Sequence, residues 1–600
     1  MRQKKNGRSQ TAAMLMLAVP VIWLALRSAP YASGGLPEIF AHLSEISAQP
    51  FQITFCAESI RTVLVCLLIY GLGCIYFYAT RHNYRRGEEH GSASWGDAAK
   101  LNRKYQQKPL ECNRILTQNV RIGIQTQEHG RNLNTGVIGG TGAGKTRGYA
   151  MPNLLQANCS YAVTDPKGEL LRSCGSFLER QGYRVLALDL IHMDQSHGYN
   201  PFEYLENEND VQRLVTNFFR ATGNKNGVSG DNQFWEDTAQ MYLMAMIFLL
   251  LEQAPPEEQN FASVRELVTR DMVQDEDDMG MGAAEPSPLA ALFYQIECER
   301  PDSIALKYYK DCHTSAGKTM KSIQISLLAH LNKFNLKAVA DLTRVDELHL
   351  ERMGEEKTAL FCVIPDNDTS FNFLVSILYT QLFQKLFRAA DDKYGGSLPI
   401  PVHFLLDEFA NIALPSDFEK VLSVMRSRNI SVSIILQALS QLKQLYKDSW
   451  EIILSNLDEL LYLGSSEVST HEYISKRLGK ETIDTNSYGR SRGRSGSYST
   501  NYQQTGRELL TPDEIGRLDN RQAILFIRGE KPVLDSKFVL ERHPNAKQMN
   551  APPYRHGAAP LAEGTLTVLN QAITEQEQVE LLSESEIEAL FDFREESQHE

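Results

Sequence analysis

The stretch Gly139-Gly140-Thr141-Gly142-Ala143-Gly144-Lys145-Thr146 fits the pattern G-x-x-x-x-G-K-[ST], follows a short apolar run and precedes a helical one. It constrains the fold more than any other feature, because it needs a strand to end and a helix to begin on either side of one tight loop. Glycines let successive backbone N–H groups turn inward around phosphate oxygens, and the helix N-terminus adds a favourable dipole. Lys145 would reach the β- and γ-phosphates and Thr146 would ligate Mg²⁺ through its hydroxyl. A glycine-rich turn with no ligand fits the same letters, but the flanking strand and helix signals favour the phosphate loop. A dinucleotide fold is disfavoured, because the glycine spacing is not G-x-G-x-x-G.

Around this loop the chain repeats short, β-branched apolar runs bounded by turn residues: TGVIGG, YAVTD, YRVLALDL, TALFCVIPD, VHFLLDE, SVSIILQ, ELLYLGS and AILFIRG. Continuous apolar strands separated by helical stretches predict a parallel sheet covered on both faces, an α/β nucleotide-binding core. Between the third and fourth runs, over about Glu206 to Met353, the spacing turns helical, as in FWEDTAQMYLMAMIFLLL and GKTMKSIQISLLAHLNKF, which predicts an inserted all-α domain. The nucleotide-binding domain would then occupy 87–205 and 354–545. Residues 484–507 are low in complexity and read as flexible, and 546–600 as an acidic tail.

VHFLLDEFANI supplies a second half for the loop. Asp407, at the end of a buried strand, can hold Mg²⁺ through its water shell, and Glu408 can orient or deprotonate an attacking water. Gln437 ends the next strand, where a polar side chain can sense the γ-phosphate or position water. Arg426, in VMRSRNI, fits either a solvated helix charge or an arginine that stabilises transition-state charge from a neighbouring subunit. No L-S-G-G-Q accompanies the loop, which disfavours ABC-type transport.

Two further apolar runs precede all of this. Thr11 to Leu26 follows Arg2, Lys4, Lys5 and Arg8, and Thr62 to Ala79 is followed by Arg81, Arg85 and Arg86. Spanning hydrocarbon takes about 20 residues, so the second run suffices and the first is a little short. The basic flanks predict both ends on the cytoplasmic side and residues 27–61 outside, giving an N-terminal two-helix transmembrane anchor within 1–86. A cleaved signal peptide fits the first run as well, and leaves everything after Arg86 inside in either case. The formal net charge is -13, but Glu563 to Glu600 holds eleven acidic residues against Arg594 alone, so the rest of the chain is nearly balanced and nucleic acid is not excluded. The nine cysteines are scattered, without C-x-x-C or zinc spacing, as expected in a reducing cytoplasm.

At these residues the chain resembles the coupling ATPases of type IV secretion and conjugation, the TraG/TraD/VirD-like family. The likeness covers most of the chain and lies in the membrane hairpin, HGSASWGDA (His90 to Ala98), the phosphate loop with YAMPNLL behind it, and VTDPKGEL (Val163 to Leu170). It continues through YNPF (Tyr199 to Phe202), NQFWED (Asn232 to Asp237), LLDEFANI, the glutamine strand and GRELLTPDEI (Gly506 to Ile515). The pattern is most similar to members carried by mobile elements of Gram-positive bacteria.

The resemblance implies a RecA-like P-loop motor domain, the helical insertion, ATP and Mg²⁺ as nucleotide and cofactor, and assembly into a homo-hexamer. It implies catalytic roles for Lys145, Asp407, Glu408 and Gln437, with Arg426 as the trans arginine. It also implies a single-stranded DNA substrate attached to a relaxase, type IV secretion channel proteins as partners, and residence in the cytoplasmic membrane. Duplex DNA translocation for segregation and a nucleotide-controlled docking receptor are the competing readings. Separately, Arg490, Arg492 and Arg494 alternate with small residues ahead of Tyr498 and Tyr502, a composition that suits contact with DNA phosphates and bases and equally a solvated linker.

Overall fold

The structure is a computed structural model that describes residues 2–48, 53–80, 87–223, 230–273, 287–314, 317–412, 414, 418–490, 498–550 and 552–554. They divide into two compact units, one formed by residues up to 90 with 482–506, the other by the remaining described residues.

In the first unit, a helix runs over Arg2–Ser28 and another over Ser59–Ala79. Each contributes to a span apolar enough to cross a bilayer, Met14–Gly34 with mean hydropathy 1.5 and Ser59–Phe77 with 2.0. The first span is longer than the apolar run alone suggests, because a 3₁₀ turn over Ala29–Gly34 extends the helix. Leu64, Leu68, Leu72 and Ile75 remain exposed on the second helix. Such a surface is unfavourable in water and at home in lipid. The hydroxyl of Tyr70 donates to the Met14 carbonyl at 2.9 Å and ties the two helices together. Arg81, Arg85 and Arg86 lie outside the described residues.

The second unit is built on a nine-stranded sheet. A small antiparallel pair comes first, β1 (Asn113–Ile115) with β2 (Arg121–Gly123). The large sheet takes β3 (Thr135–Gly139), β4 (Ser160–Pro166), β5 (Arg184–Asp189), β6 (Thr358–Ile364), β7 (Val402–Leu406), β8 (Ile430–Leu436) and β9 (Glu459–Gly464), all parallel. The antiparallel strands β12 (Gln522–Ile527) and β13 (Val533–Ser536) close one edge, giving the order β13-β12-β9-β3-β8-β7-β4-β6-β5. All eight apolar runs are strands, and β13 is the member too short and polar to announce itself.

Alternate residues on each strand point to opposite faces, so the sheet separates two cores. Ile138, Ala162, Leu360, Phe404 and Ile434 face one; Val137, Val163, Phe361, Leu405 and Ile435 face the other. Between β5 and its neighbour β6 the described chain is helical from Glu208 to Gly354, apart from short connections. These helices do not stand apart as a separate body. Phe218 stacks on Phe261 at 5.0 Å, Phe261 on Phe334 at 4.9 Å, and Phe334 meets Phe373 at 5.9 Å, carrying one apolar core from the insertion to the helix Asn372–Arg388 that covers the sheet.

The segment expected to be flexible, 484–507, contains paired strands, β10 (Lys480–Arg490) and β11 (Tyr498–Glu508). Thr482, Ile483, Thr485 and Tyr488 favour extended backbone. The Thr485 hydroxyl donates to the Gln503 carbonyl at 2.9 Å and Gln504 to Asp484 at 3.1 Å. Apart from Ile483 both segments are made of polar residues, tyrosines and glycine, so no apolar alternation marks them in the sequence. Arg490 closes β10; Arg492, Arg494 and residues 555–600 of the tail lie outside the described residues.

Candidate nucleotide-binding site

The parallel strands β3, β4, β7 and β8 end along one edge, and the loops that follow them line an open cleft of about 670 Å³. Its walls include Gly140, Thr141, Gly142, Gly144, Lys145, Thr146, Asp165, Asp407, Glu408 and Gln437. Crevices at the carboxyl ends of parallel strands are where such sheets bind ligands.

The phosphate loop leaves β3 at Gly139. A Cβ there would come within 3.1 Å of both Ala143 Cβ and Lys145 Cγ, a tight approach that a side chain could make only if the loop gave way by a few tenths of an ångström. Gly142 and Gly144 have φ of +75° and +85°, in the left-handed region that glycine enters without strain. The loop passes into one π-helical turn over Thr146–Ala150 and then the α-turn Met151–Leu154, with the Gly148 N–H bonded to the Gly144 carbonyl at 2.7 Å. Lys145 Nζ rests on the Gly139 carbonyl at 2.9 Å and lies 4.0 Å from Glu408 Oε1. Thr146 lines the same cleft.

Asp407 follows β7 directly and is buried. Burial, and then the adjacent Glu408 charge, push its carboxyl up to about 6 against the pull of Lys145. Glu408 sits at φ +49°, ψ +47°, a left-handed conformation that costs a non-glycine residue about 1–3 kcal/mol and is typical of functional turns. That turn aims its carboxylate at Gln437, whose Nε2 donates to Oε1 at 2.9 Å and Oε2 at 3.1 Å. Gln437 is held in turn, its backbone N–H donating to Gln441 Oε1 at 2.8 Å. The structure thus brings together the whole loop from Gly139 to Thr146 with Asp407, Glu408 and Gln437.

It does not bring Arg426 to them. Arg426 precedes β8, at the N-terminal ends of the parallel strands, beside Gly130. A seven-residue strand spans about 20 Å, which separates Arg426 from the cleft of its own chain.

Several cleft residues, Asp165, Glu169, Asp366 and Gln441 among them, have no role assigned from the sequence. Asp165, buried at the end of β4, lies across the sheet from Asp407, since Thr164 pairs with Leu406 in the register. It accepts the backbone N–H groups of Leu170 at 3.0 Å and Leu171 at 2.7 Å, anchoring the first turn of the helix Glu169–Arg180. Burial pushes it up to about 7 although those two N–H bonds oppose the rise. The signal was present in YAVTD, which ends an apolar strand in a carboxylate as VHFLLD does.

Comparison with known proteins fits this arrangement. The profile of the family described as type IV secretory system conjugative DNA transfer matches residues 93–556. Among curated relatives, protein VirD4 of Agrobacterium fabrum is 24% identical over 472 residues, covering 75% of this chain and 66% of the relative. The conjugal transfer protein TraG of Rhizobium radiobacter is 21% identical over 408 residues, covering 66% and 60%. The chain therefore spans less than two thirds of the length of these relatives. Among solved structures, the plasmid coupling protein TrwB in complex with the non-hydrolysable ATP analogue ADPNP superposes with a TM-score of 0.54 at 16% identity, covering 81% of this chain and 99% of that one. TrwB in complex with ADP and Mg²⁺ gives 0.53. The fold is the RecA-like P-loop fold with a helical insertion, and with the profile spanning most of its length, the chain belongs to the type IV secretory system conjugative DNA transfer family.

Proposed function

We propose that the protein is a membrane-anchored coupling ATPase, which brings a relaxase-bound single strand of DNA to a type IV secretion channel and uses ATP hydrolysis to drive its transfer. The observation that carries this reading is the convergence of Lys145, Asp407, Glu408 and Gln437 on one cleft, in a family member with two membrane-length apolar helices.

The cleft fits a magnesium nucleotide. Lys145 Nζ rests on a backbone carbonyl, a contact that a phosphate oxygen replaces with a stronger, charge-assisted one. Thr146 and Asp407 offer the hydroxyl and carboxylate that would hold Mg²⁺, a hard cation that prefers oxygen. Bound there, Mg²⁺ would neutralise charge on the β- and γ-phosphates. Glu408 is the base: its carboxylate, steered by Gln437, takes the proton of the attacking water, and Lys145 stabilises charge developing on the γ-phosphate. Arg426 acts in trans on this reading, reaching the cleft of a neighbouring subunit in a hexameric ring. The hairpin anchor holds that ring at the cytoplasmic face of the membrane, and Arg490, Arg492 and Arg494 contribute phosphate contacts to the DNA strand.

The test is DNA transfer between cells carrying wild type, Lys145→Ala or Glu408→Gln, with capture of bound relaxase and DNA and with ATPase rates of the purified full chain. Both variants are expected to lose transfer. Glu408→Gln is expected to bind nucleotide while hydrolysis falls about 10²–10⁴-fold. Transfer persisting in both at normal protein levels overturns the motor reading; capture retained with transfer lost separates recruitment from energy use.

A further inference from the structure

The antiparallel edge of the sheet returns the chain to the phosphate loop. In the register of β12 and β13, Gln522 pairs with Ser536, which places both at the edge where β3 ends. Residues after Ser536 then run along the outer side of the loop and the helical turns behind it. Lys537 Nζ donates to the Ala143 carbonyl at 2.8 Å and to Asn520 Oδ1 at 2.9 Å, while its backbone N–H donates to the Arg521 carbonyl at 2.8 Å. The Phe538 carbonyl lies 3.7 Å from where a Cβ on Gly148 would sit. Glu541 pairs with Arg147 at 2.6 Å, His543 Nε2 lies 3.0 Å from Gln156 Oε1, and Asn545 Nδ2 donates to the Leu155 carbonyl at 3.0 Å.

Most of these contacts are those of a tether, and Arg147 and Glu541 are too exposed for their pair to count for much. Lys537 is different. It is half-buried, and burial pulls its ammonium down to about 8, with Asp519 opposing. A cation placed at that cost touches the one carbonyl whose peptide unit also contains the Gly144 N–H. Donation to a carbonyl polarises the amide and strengthens its N–H as a donor in the same direction. Gly144 stands immediately before Lys145 at φ +85°, among the N–H groups that the loop turns toward phosphate.

We propose that Lys537 is a positioning residue for the nucleotide: through the Ala143–Gly144 peptide it fixes and polarises a phosphate-binding N–H of the loop from outside the cleft. The inference rests on the reading of the cleft as an ATP site. Nucleotide affinity in this chain then depends on a residue almost four hundred positions downstream of the loop, on a segment that leads directly into the C-terminal region.

The test uses the full-length protein in detergent, comparing wild type, Lys537→Met, Lys537→Arg and Lys145→Ala for binding of a non-hydrolysable ATP analogue, for KM and kcat, and for melting without nucleotide. Lys537→Met is expected to raise the analogue Kd and the KM for ATP about tenfold, with kcat within about twofold, since a group lost from uniform binding affects KM alone. Lys537→Arg is expected to restore most of the affinity, and nucleotide-free melting to stay at the wild-type value. An unchanged Kd and KM in Lys537→Met, with binding abolished in Lys145→Ala, overturns the role of Lys537 and leaves the ATP site standing. Lost affinity that tracks a lowered melting point and is not rescued by arginine also overturns it, as a merely structural contact. Unimpaired binding in Lys145→Ala removes the ATP site and this inference together.

Discussion

The two ends of the parallel strands use similar chemistry for opposite ends. At the carboxyl edge, Asp165, Asp407, Glu408 and Lys145 face an open cleft, and their protein partners leave donors and acceptors to spare. At the amino edge lies a closed polar cluster. Arg114, buried, donates to His403 Nδ1 at 2.8 Å and Ser431 Oγ at 3.0 Å, and bonds closely with the Leu133 carbonyl. His403 Nε2 lies 3.0 Å from Ser433 Oγ, which in turn meets the Tyr149 hydroxyl at 2.6 Å, and Thr135 donates to Glu459 at 3.2 Å. Burial and the Arg114 charge hold His403 well below the usual imidazole range, so it stays neutral and can accept from arginine. Buried polar groups thus mark function where they are left facing space; where they bond mostly to one another they fix the packing of β3, β7, β8 and β9.

The contrast makes its sharpest claim about Arg114. Arg114→Met leaves the Leu133 carbonyl, His403 Nδ1 and Ser431 Oγ without their buried donor, and each polar group left unsatisfied costs about 1–3 kcal/mol, so several kcal/mol are lost together. The expected result is a loss of that size in denaturant unfolding of the full chain, with KM for ATP unchanged in the folded fraction. A large catalytic defect without lost stability would break the division between the two edges.

A smaller effect is expected at Glu459. Its carboxyl is fully buried, Oε1 has no hydrogen-bond partner, and burial pushes it up to about 8, partly countered by Arg114. The folded chain holds this proton more tightly than the unfolded one. The resulting stability is fully present below the ordinary glutamate range and is lost as pH rises through about 8. Unfolding measured across that window should show stability falling with pH, and Glu459→Gln should flatten the slope and gain about 1–3 kcal/mol at its upper end. An unaltered slope in the variant would assign the proton to another group.

The same contrast explains which parts of the molecule the sequence made legible. The strands of the sheet are readable because they are buried on both faces, and the cleft because its residues sit at strand ends beside glycines. Lys145, Glu408 and Gln437 are each local signals, and the topology merely collects them. Arg114 and His403 are not readable. Each looks like an ordinary polar residue near a strand, and they meet across 289 positions. Lys537 is hidden for the same reason, as one lysine after a short edge strand. The paired strands β10 and β11 escape because strand formation without burial leaves no period in hydrophobicity. Arg426 shows a further limit: its two readings, a solvated charge or an arginine acting on a neighbouring subunit, are not separated by its place at the far end of the sheet from the cleft of its own chain.

Gln437 gives the mildest test and addresses the open edge directly. Its amide spans both oxygens of Glu408, whose left-handed backbone already fixes where the side chain leaves the strand. Gln437→Ala therefore removes orientation and one dipole but neither the base nor the phosphate loop. We expect kcat to fall about tenfold, about 1.4 kcal/mol, with KM and analogue binding unchanged, because the contact concerns the attacking water and not the bound nucleotide. Gln437→Glu should fall further, since it sets a like charge where the amide donated. Equal kcat in wild type and Gln437→Ala would mean that the backbone alone aims Glu408, making the glutamine contact a resting arrangement of the same kind as the closed cluster at the other edge.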